Sequence, residues 1–282
     1  MGYGAPHRRR ILVILTALAA AFPALVAVAP SAGSATAHAA ANRAAANRAA
    51  ARRGSTIMLC NKGDHIAVQS RAGRSFIVRN DWFRSPGCLT NWALRTNFRV
   101  RTSYRAEPRG RVVSFPDIFR GCAWGLCTAN SKMPRQISRL QSPQATWRIR
   151  SRAGGRWNAA FDIWISKHKM TNGQAEGAEL MIWIKVHDMP SAHGWPIVWV
   201  GHHRYHLLHW TAVNGNASWN YIQFRRLHST RGVRRLSIRR FIRKAEHRGL
   251  IKPWWWLDNI EAGFEIWWGG KGLGTARFWA KQ

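Results

Sequence analysis

The chain has 282 residues, 46% of them hydrophobic, with 17 Trp and 11 Phe. That is apolar surface enough for a large core, so wholesale disorder is excluded, and at about 150 residues per domain the length admits one or two domains. Lys and Arg number 44 against 12 Asp and Glu, a formal charge of +32, which favours contact with anionic polymers and says nothing of fold.

Arg8, Arg9 and Arg10 precede an apolar stretch from Ile11 to Val28 that Pro23 interrupts, and Thr36-Ala37-His38-Ala39 closes it with small residues. This reads as a secretory signal over residues 1–39 rather than a membrane anchor, because of the interruption and the A-x-A pattern. The mature chain is therefore expected to be extracellular, with no membrane contact after cleavage. Residues 40–55 are rich in Ala, Asn and Arg without an apolar face, and read as an exposed basic tether. The first 53 residues hold seven Arg and no acid, which leaves 37 bases and 12 acids, or +25, in the remainder. Residues 56–282 are expected to form one domain.

The four cysteines are Cys60, Cys88, Cys122 and Cys127. An even count in an exported chain suggests two disulfides, and sequence alone allows three pairings. Cys122 and Cys127 suit a tight local loop, which leaves Cys60 with Cys88. No C-x-x-C pair accompanies the twelve His, so a metal site ranks below disulfides. His202 and His206 would share a face on a helix or a strand. No acid lies near them, so a surface strand with adventitious metal affinity is the reading. No metal or other cofactor is expected.

Short alternating runs bounded by Gly, Pro, Asn and Ser predict strands at 65–69, 75–79, 147–150, 157–165, 179–186, 197–200, 221–225 and 263–267. Ile238, Phe241, Ile242 and Ala245 have helical spacing, with Gly249 as a stop signal and Pro253 beyond. Many strands and one late helix argue for a β-sandwich with the helix on its outside. Parity then sorts the acids. Glu179, Met181 and Trp183 share one face of their strand, Asn158, Ala160, Asp162 and Trp164 one face of theirs, and Glu265 and Trp267 one face of a third. Aliphatic residues stand behind each. A Trp-lined acidic face suits a sugar chain, since indole offers a platform for the C–H face of a pyranose and carboxylates bond its hydroxyls. On pattern alone, a buried ion network with Trp packing is an equal alternative.

Gly177-Ala178-Glu179-Leu180-Met181-Ile182-Trp183 and the run from Glu261-Ala262-Gly263-Phe264-Glu265-Ile266-Trp267 to Gly272-Leu273 resemble the two catalytic signatures of glycoside hydrolase family 12, in that order. Phe115–Thr128 resembles the family's disulfide loop, Trp157–Trp164 its central strand, and Trp219-Asn220-Tyr221-Ile222 and Arg248–Pro253 agree too. The resemblance covers Cys60 to the C-terminus. It implies a β-jelly roll with a long concave cleft and endo-acting, retaining hydrolysis of β-1,4-glucan, without a catalytic metal. It makes Glu179 the nucleophile, Glu265 the general acid and then base, and Asp162 a support for the nucleophile. A retaining mechanism needs the two carboxyl groups about 5–5.5 Å apart, one ionised and one protonated. Glu261, four residues before Glu265, is given a structural role. The resemblance implies substrate contacts for Asn80, Trp82, Asn158, Met181 and Trp183, with Trp124 in the disulfide loop as a further candidate.

This chain departs from the family pattern at Arg79-Asn80-Asp81-Trp82-Phe83, at Ala123, and in the loop Lys185–Gly194. Those changes touch the sides of the cleft, so cellulose, mixed-linkage glucan and xyloglucan all remain open as substrates. The charge raises a second possibility, a non-catalytic binding protein for acidic polymers. The Arg residues are spread along the chain and export argues against nucleic acid. The expected partner is a β-glucan, with non-specific attraction to acidic wall polymers, and the expected state a monomer.

Overall fold

Alternation along the strands sets the architecture. In His65–Gln69, Ile66 and Val68 turn inward and their neighbours face solvent. In Gly155–Ser166 both faces are covered, with Ala159, Phe161, Ile163 and Ile165 in the main core. The structure is a computed structural model that describes residues 54–282. The leader expected over 1–39, and the tether except Gly54 and Ser55, lie outside the described residues.

The strands form two stacked sheets, a β-jelly-roll sandwich. The smaller has the order Thr56–Leu59, Leu89–Trp92, Phe98–Val100, Gly274–Lys281, Gln144–Arg150, Gly232–Ser237. The larger runs Ile197–Val200, His203–Asn214, Ala217–Arg226, Ala178–His187, Gly155–Ser166, Asn259–Gly263, Asp117–Ala123, Ser75–Arg79, His65–Gln69. Its pairs are antiparallel except Ala178–His187 with Ala217–Arg226. The His-rich segment lies at and just before the start of the strand His203–Asn214, next to the sheet edge.

Between the sheets lies an aromatic core. Trp147 meets Phe161 and Phe264 at centroid distances of 5.4 and 5.5 Å, edge-on and tilted respectively. The helix Ile238–Glu246 presents Ile238, Phe241, Ile242 and Ala245 to this core, with Phe241 edge-on to Tyr205 and Phe224. It thus covers the convex side of the larger sheet and leaves the concave side open. Gly249, at φ 72°, ends it as the spacing predicts. Disulfides join Cys60 to Cys88 and Cys122 to Cys127. The second closes the hairpin between Asp117–Ala123 and Leu126–Cys127. Among the described residues, no helix is long and apolar enough to cross a membrane.

Candidate active site

The concave face of the larger sheet gathers the acids. Asp162 stands opposite Met181 on one neighbouring strand and opposite Glu261 on the other. Glu179 stands opposite Trp164, so Asp162 and Glu179 are diagonal neighbours, a relation that spans about 7–8 Å between backbones and is within side-chain reach. The expected parity holds. Leu180, Ile182 and Ile184 enter the main core, while Ala160, Met181, Trp183 and Tyr221 form a separate cluster on the concave side.

Glu265 arrives there by an irregularity. The strand expected over 263–267 is instead two strands, Asn259–Gly263 and Ile266–Gly269, with Phe264 and Glu265 between them. Pairing to Gly155–Ser166 slips at Arg156 and Trp157. Asn158 fills the break. Its main-chain N–H donates to the Glu265 carbonyl (3.0 Å), and its Oδ1 accepts from the Glu265 N–H (3.3 Å). Its Nδ2 donates to Glu265 Oε2. Asn158 is expected to touch substrate; in the structure it is fully buried and its amide is committed to Glu265.

Two indoles serve the other carboxylates. Trp219 Nε1 donates to Glu179 Oε2 (2.7 Å), and Trp164 Nε1 donates to Asp162 Oδ2 (3.2 Å). Each fixes one oxygen of its carboxyl group, and the other Asp162 oxygen is buried without a partner. Burial pushes the Glu179 carboxyl up to about 8, against the Trp219 hydrogen bond and with the Glu265 and Glu261 charges adding to it. Burial pushes Glu265 up to about 7, against the Asn158 hydrogen bond. Asp162 is raised well above the usual carboxylate range by burial and then by the charges of Glu179 and Glu265. The Tyr221 phenol, also buried, responds to all three acids. Four titrating groups that influence one another in this way occupy one pocket of low dielectric.

The remaining candidates fall into two sets. Met181 and Trp183 lie beside the acids but are buried, Trp183 with its ring 6.4 Å from Trp267. The accessible indole surface next to the acids comes from Trp164, Trp219 and Trp267, each half-buried. Trp210, stacked on Tyr221 at 3.9 Å, extends this surface and is 45% exposed. Trp124 is more exposed still and shares a hollow beside the disulfide hairpin with Trp164. Trp82 is half-buried, its Nε1 donating to the Cys60 carbonyl (3.3 Å). Asn80 turns away from solvent altogether: its Nδ2 donates to the carbonyls of Gly87 (2.8 Å) and Asn61 (3.3 Å), so it braces the loops around Trp82 instead of lining the cleft. Parity already sets Trp164 on the Trp-lined acidic face, but no role is expected there of Trp219, for which the surrounding motif is the available signal.

Removal of the Trp219 donor gives a measurable result. Trp219→Phe leaves Glu179 with one fewer group favouring its charged form. A hydrogen bond to a charged group contributes about 1.5–3 kcal/mol, so kcat/KM for a β-glucan is expected to fall about tenfold or more. Unchanged kinetics would mean that this contact does not orient the acid.

Comparison with known proteins agrees with the geometry. Residues 114–281 match the model of glycosyl hydrolase family 12. The chain belongs to that family. With it, the chain is a glycoside hydrolase. Cel12A, an endoglucanase of Rhodothermus marinus, is 34% identical and superposes with a TM-score of 0.71 over 80% of this chain and 98% of its own. A metagenome-derived family 12 endoglucanase is 31% identical, with the same TM-score, over 80% of this chain and 97% of its own. Endoglucanase S of Pectobacterium parmentieri is 27% identical over 169 residues, 57% of this chain and 62% of that protein.

Beside the acid row of this family 12 chain lies a second cluster, built on ion pairs, in which Asp117 Oδ1 alone is buried without a partner. Arg79 Nε donates to Asp117 Oδ2 (2.9 Å), and its Nη2 reaches Asp117 Oδ2 at 2.8 Å, Glu261 Oε2 at 3.1 Å and Asp81 Oδ2 at 3.6 Å. Glu261 Oε1 accepts from Asn259 Nδ2 (2.8 Å). Glu261 is thus held as an ion-pair partner, in keeping with the structural role given to it. Arg79 also lowers the pKa of Asp162. One buried cation therefore tempers a cleft that concentrates six of the twelve acids of a protein otherwise strongly basic.

Proposed function

We propose that the protein is a secreted, retaining endo-glycosidase that cleaves internal β-1,4 bonds of a glucan. Glu179 is the nucleophile, Glu265 the general acid and then base, and Asp162 the neutral neighbour that supports Glu179. The observation that carries this is the convergence of three carboxyl groups, each with a raised pKa, on one Trp-lined concave face. Family membership and the endoglucanase relatives support the same reaction class. The N-terminal signal pattern supports export.

The pair holds one proton between its two carboxyl groups near neutrality, because burial disfavours a second charge. Burial raises Glu179 (about 8) more than Glu265 (about 7), so at rest the shared proton favours Glu179; in the reacting form it sits on Glu265, which gives it to the glycosidic oxygen. The Trp219 donor favours the carboxylate at Glu179, whose free oxygen attacks C1 as the C1–O bond breaks. The resulting ester removes the charge of Glu179. Glu265, now ionised, takes a proton from water, which attacks C1 from the opposite face and releases Glu179. Asp162 keeps its proton and so adds no third charge. The half-exposed indoles receive the apolar faces of the sugar rings.

The test is reducing-end release from soluble β-1,4-glucans, with the anomer of the first product followed by NMR. β-Product is expected first; α-product, or no release from any β-glucan, would overturn the reading. The acidity of the pair adds a pH signature. Only the singly protonated pair reacts, so kcat/KM is expected to fall below about 7, as the second proton binds, and above about 8, as the last one leaves. An optimum below pH 5 would mean that burial does not set these acidities.

A further inference from the structure

Alternation in the strand Asp117–Ala123 places Phe119 on the concave side and sends Arg120 the other way. There its guanidinium lies 5.7 Å from the ring of Phe76, a residue of the main core. A cavity of about 300 Å³ opens around it, lined by Arg74, Arg120, Lys132, Arg135, Lys281 and Gln282 among others. It is separate from the cleft and opposite to it in charge.

Arg120 has no charged partner. It is 4% exposed. Nη1 donates to the Ser75 carbonyl (2.8 Å) and Nη2 to that of Asn130 (2.6 Å), while Nε is buried without an acceptor. Among the described residues the ion pairs belong to Arg79 and Arg111, so none of the five bases here has one. Burial, and then the charge of Arg74, push the pKa of Arg120 down. A buried charge without a counter-charge is costly, and a bound anion removes that cost. The surroundings are arranged for one. Arg74 is held against the Trp279 ring at 5.5 Å, and Lys132 is held at φ 61°, where a side chain is seldom tolerated.

We propose that this cavity binds the carboxylates of an acidic sugar chain, a uronate oligomer. Guanidinium forks match carboxylates two bonds at a time. The volume exceeds what a lone oxyanion needs and reaches the lower end of the roughly 300–1,000 Å³ of ligand pockets, room for the ring that bears the charge. The lining is almost wholly polar, so recognition there is by charge, unlike the indole surface of the cleft. Occupancy would hold the enzyme on an acidic polysaccharide while the concave face stays free for neutral glucan.

The test is calorimetric titration of the folded chain with trigalacturonate, inorganic phosphate and neutral cellotriose. The variant is Lys132→Gln/Arg135→Gln/Lys281→Gln, at the rim, since Arg120→Gln alone could disturb the loop held on its guanidinium. A control, Arg234→Gln/Arg235→Gln/Arg243→Gln, removes the same charge from exposed positions elsewhere. Trigalacturonate is expected to bind, and to bind about tenfold or more weaker to the rim variant but not to the control. β-Glucan hydrolysis is expected to be unchanged in both variants. Equal weakening in rim and control variants would reduce the effect to diffuse attraction by a basic surface. Phosphate binding as tightly as trigalacturonate would make this an inorganic-anion site. Either result overturns the proposal, and neither bears on the hydrolase reading, because the readout is binding away from the cleft.

Discussion

Glu179→Ala and Glu265→Ala are both expected to lose hydrolysis of unactivated β-glucan, by about 10²–10⁴-fold for the acid/base and further for the nucleophile. They should differ in what restores them. Glu265 is needed to protonate the leaving oxygen and to deprotonate water. With an aryl glycoside whose leaving group needs no proton, the first step survives in Glu265→Ala and the ester on Glu179 accumulates. Azide, a nucleophile that needs no base, then attacks C1 and releases the β-glycosyl azide. In Glu179→Ala no ester forms, and azide in the space left by the carboxylate displaces the leaving group directly, which gives the α-azide. The product anomer therefore assigns each residue independently of rate. The reverse pattern would exchange the two roles, and near wild-type turnover in either variant would remove that residue from the chemistry.

The acids were legible because their strands carry a period of two with both faces decided. In Ala178–His187 the residues behind Glu179 are aliphatic, so only one register buries them. Parity could not show the break at Glu265. The group that interrupts the strand is the side chain of Asn158, 107 residues away, and it replaces a ladder partner that a local reading assumes. The same holds for Trp219, 40 residues from the carboxylate it serves and brought there by the parallel pairing of Ala217–Arg226 on Ala178–His187. Asn80 failed as a cleft residue for a related reason. Its burial depends on two loops, around Asn61 and Gly87, whose positions no local pattern encodes. The strand Gly232–Ser237 escaped notice because Arg234 and Arg235 break its alternation where the pairing shifts. On pattern alone, an acid cleft and a buried ion network stood as alternatives. The concave face holds both, and Arg79, Asp117 and Glu261 are the network.

That network is where a single substitution should cost most stability. Arg79, Asp117 and Glu261 have side chains 7%, 0% and 2% exposed. Arg79→Met keeps much of the stem but leaves two carboxylates buried without their cation. Breaking a buried pair in this way costs about 3–5 kcal/mol, and a domain of this size loses roughly 2–4 °C of Tm per kcal/mol, so a fall of about 10 °C is expected at pH values above about 8, where the wild-type acids are ionised. The loss depends on pH with a defined sign. Burial raises Asp117 well above the usual carboxylate range and Glu261 to about 8, and Arg79 opposes both shifts. Without Arg79 both acids rise further. A carboxyl group whose pKa is raised on folding costs nothing while it is protonated in both states, and costs progressively more as pH climbs from its unfolded value toward its folded one. The variant is therefore expected to show little charge-dependent deficit at pH 5, where both folded proteins hold both protons, and a deficit that grows as pH climbs through about 8 and beyond, where the wild type ionises and the variant resists. A deficit independent of pH would assign the loss to packing of the Arg79 stem against Phe119, 5.4 Å from its guanidinium, and not to charge.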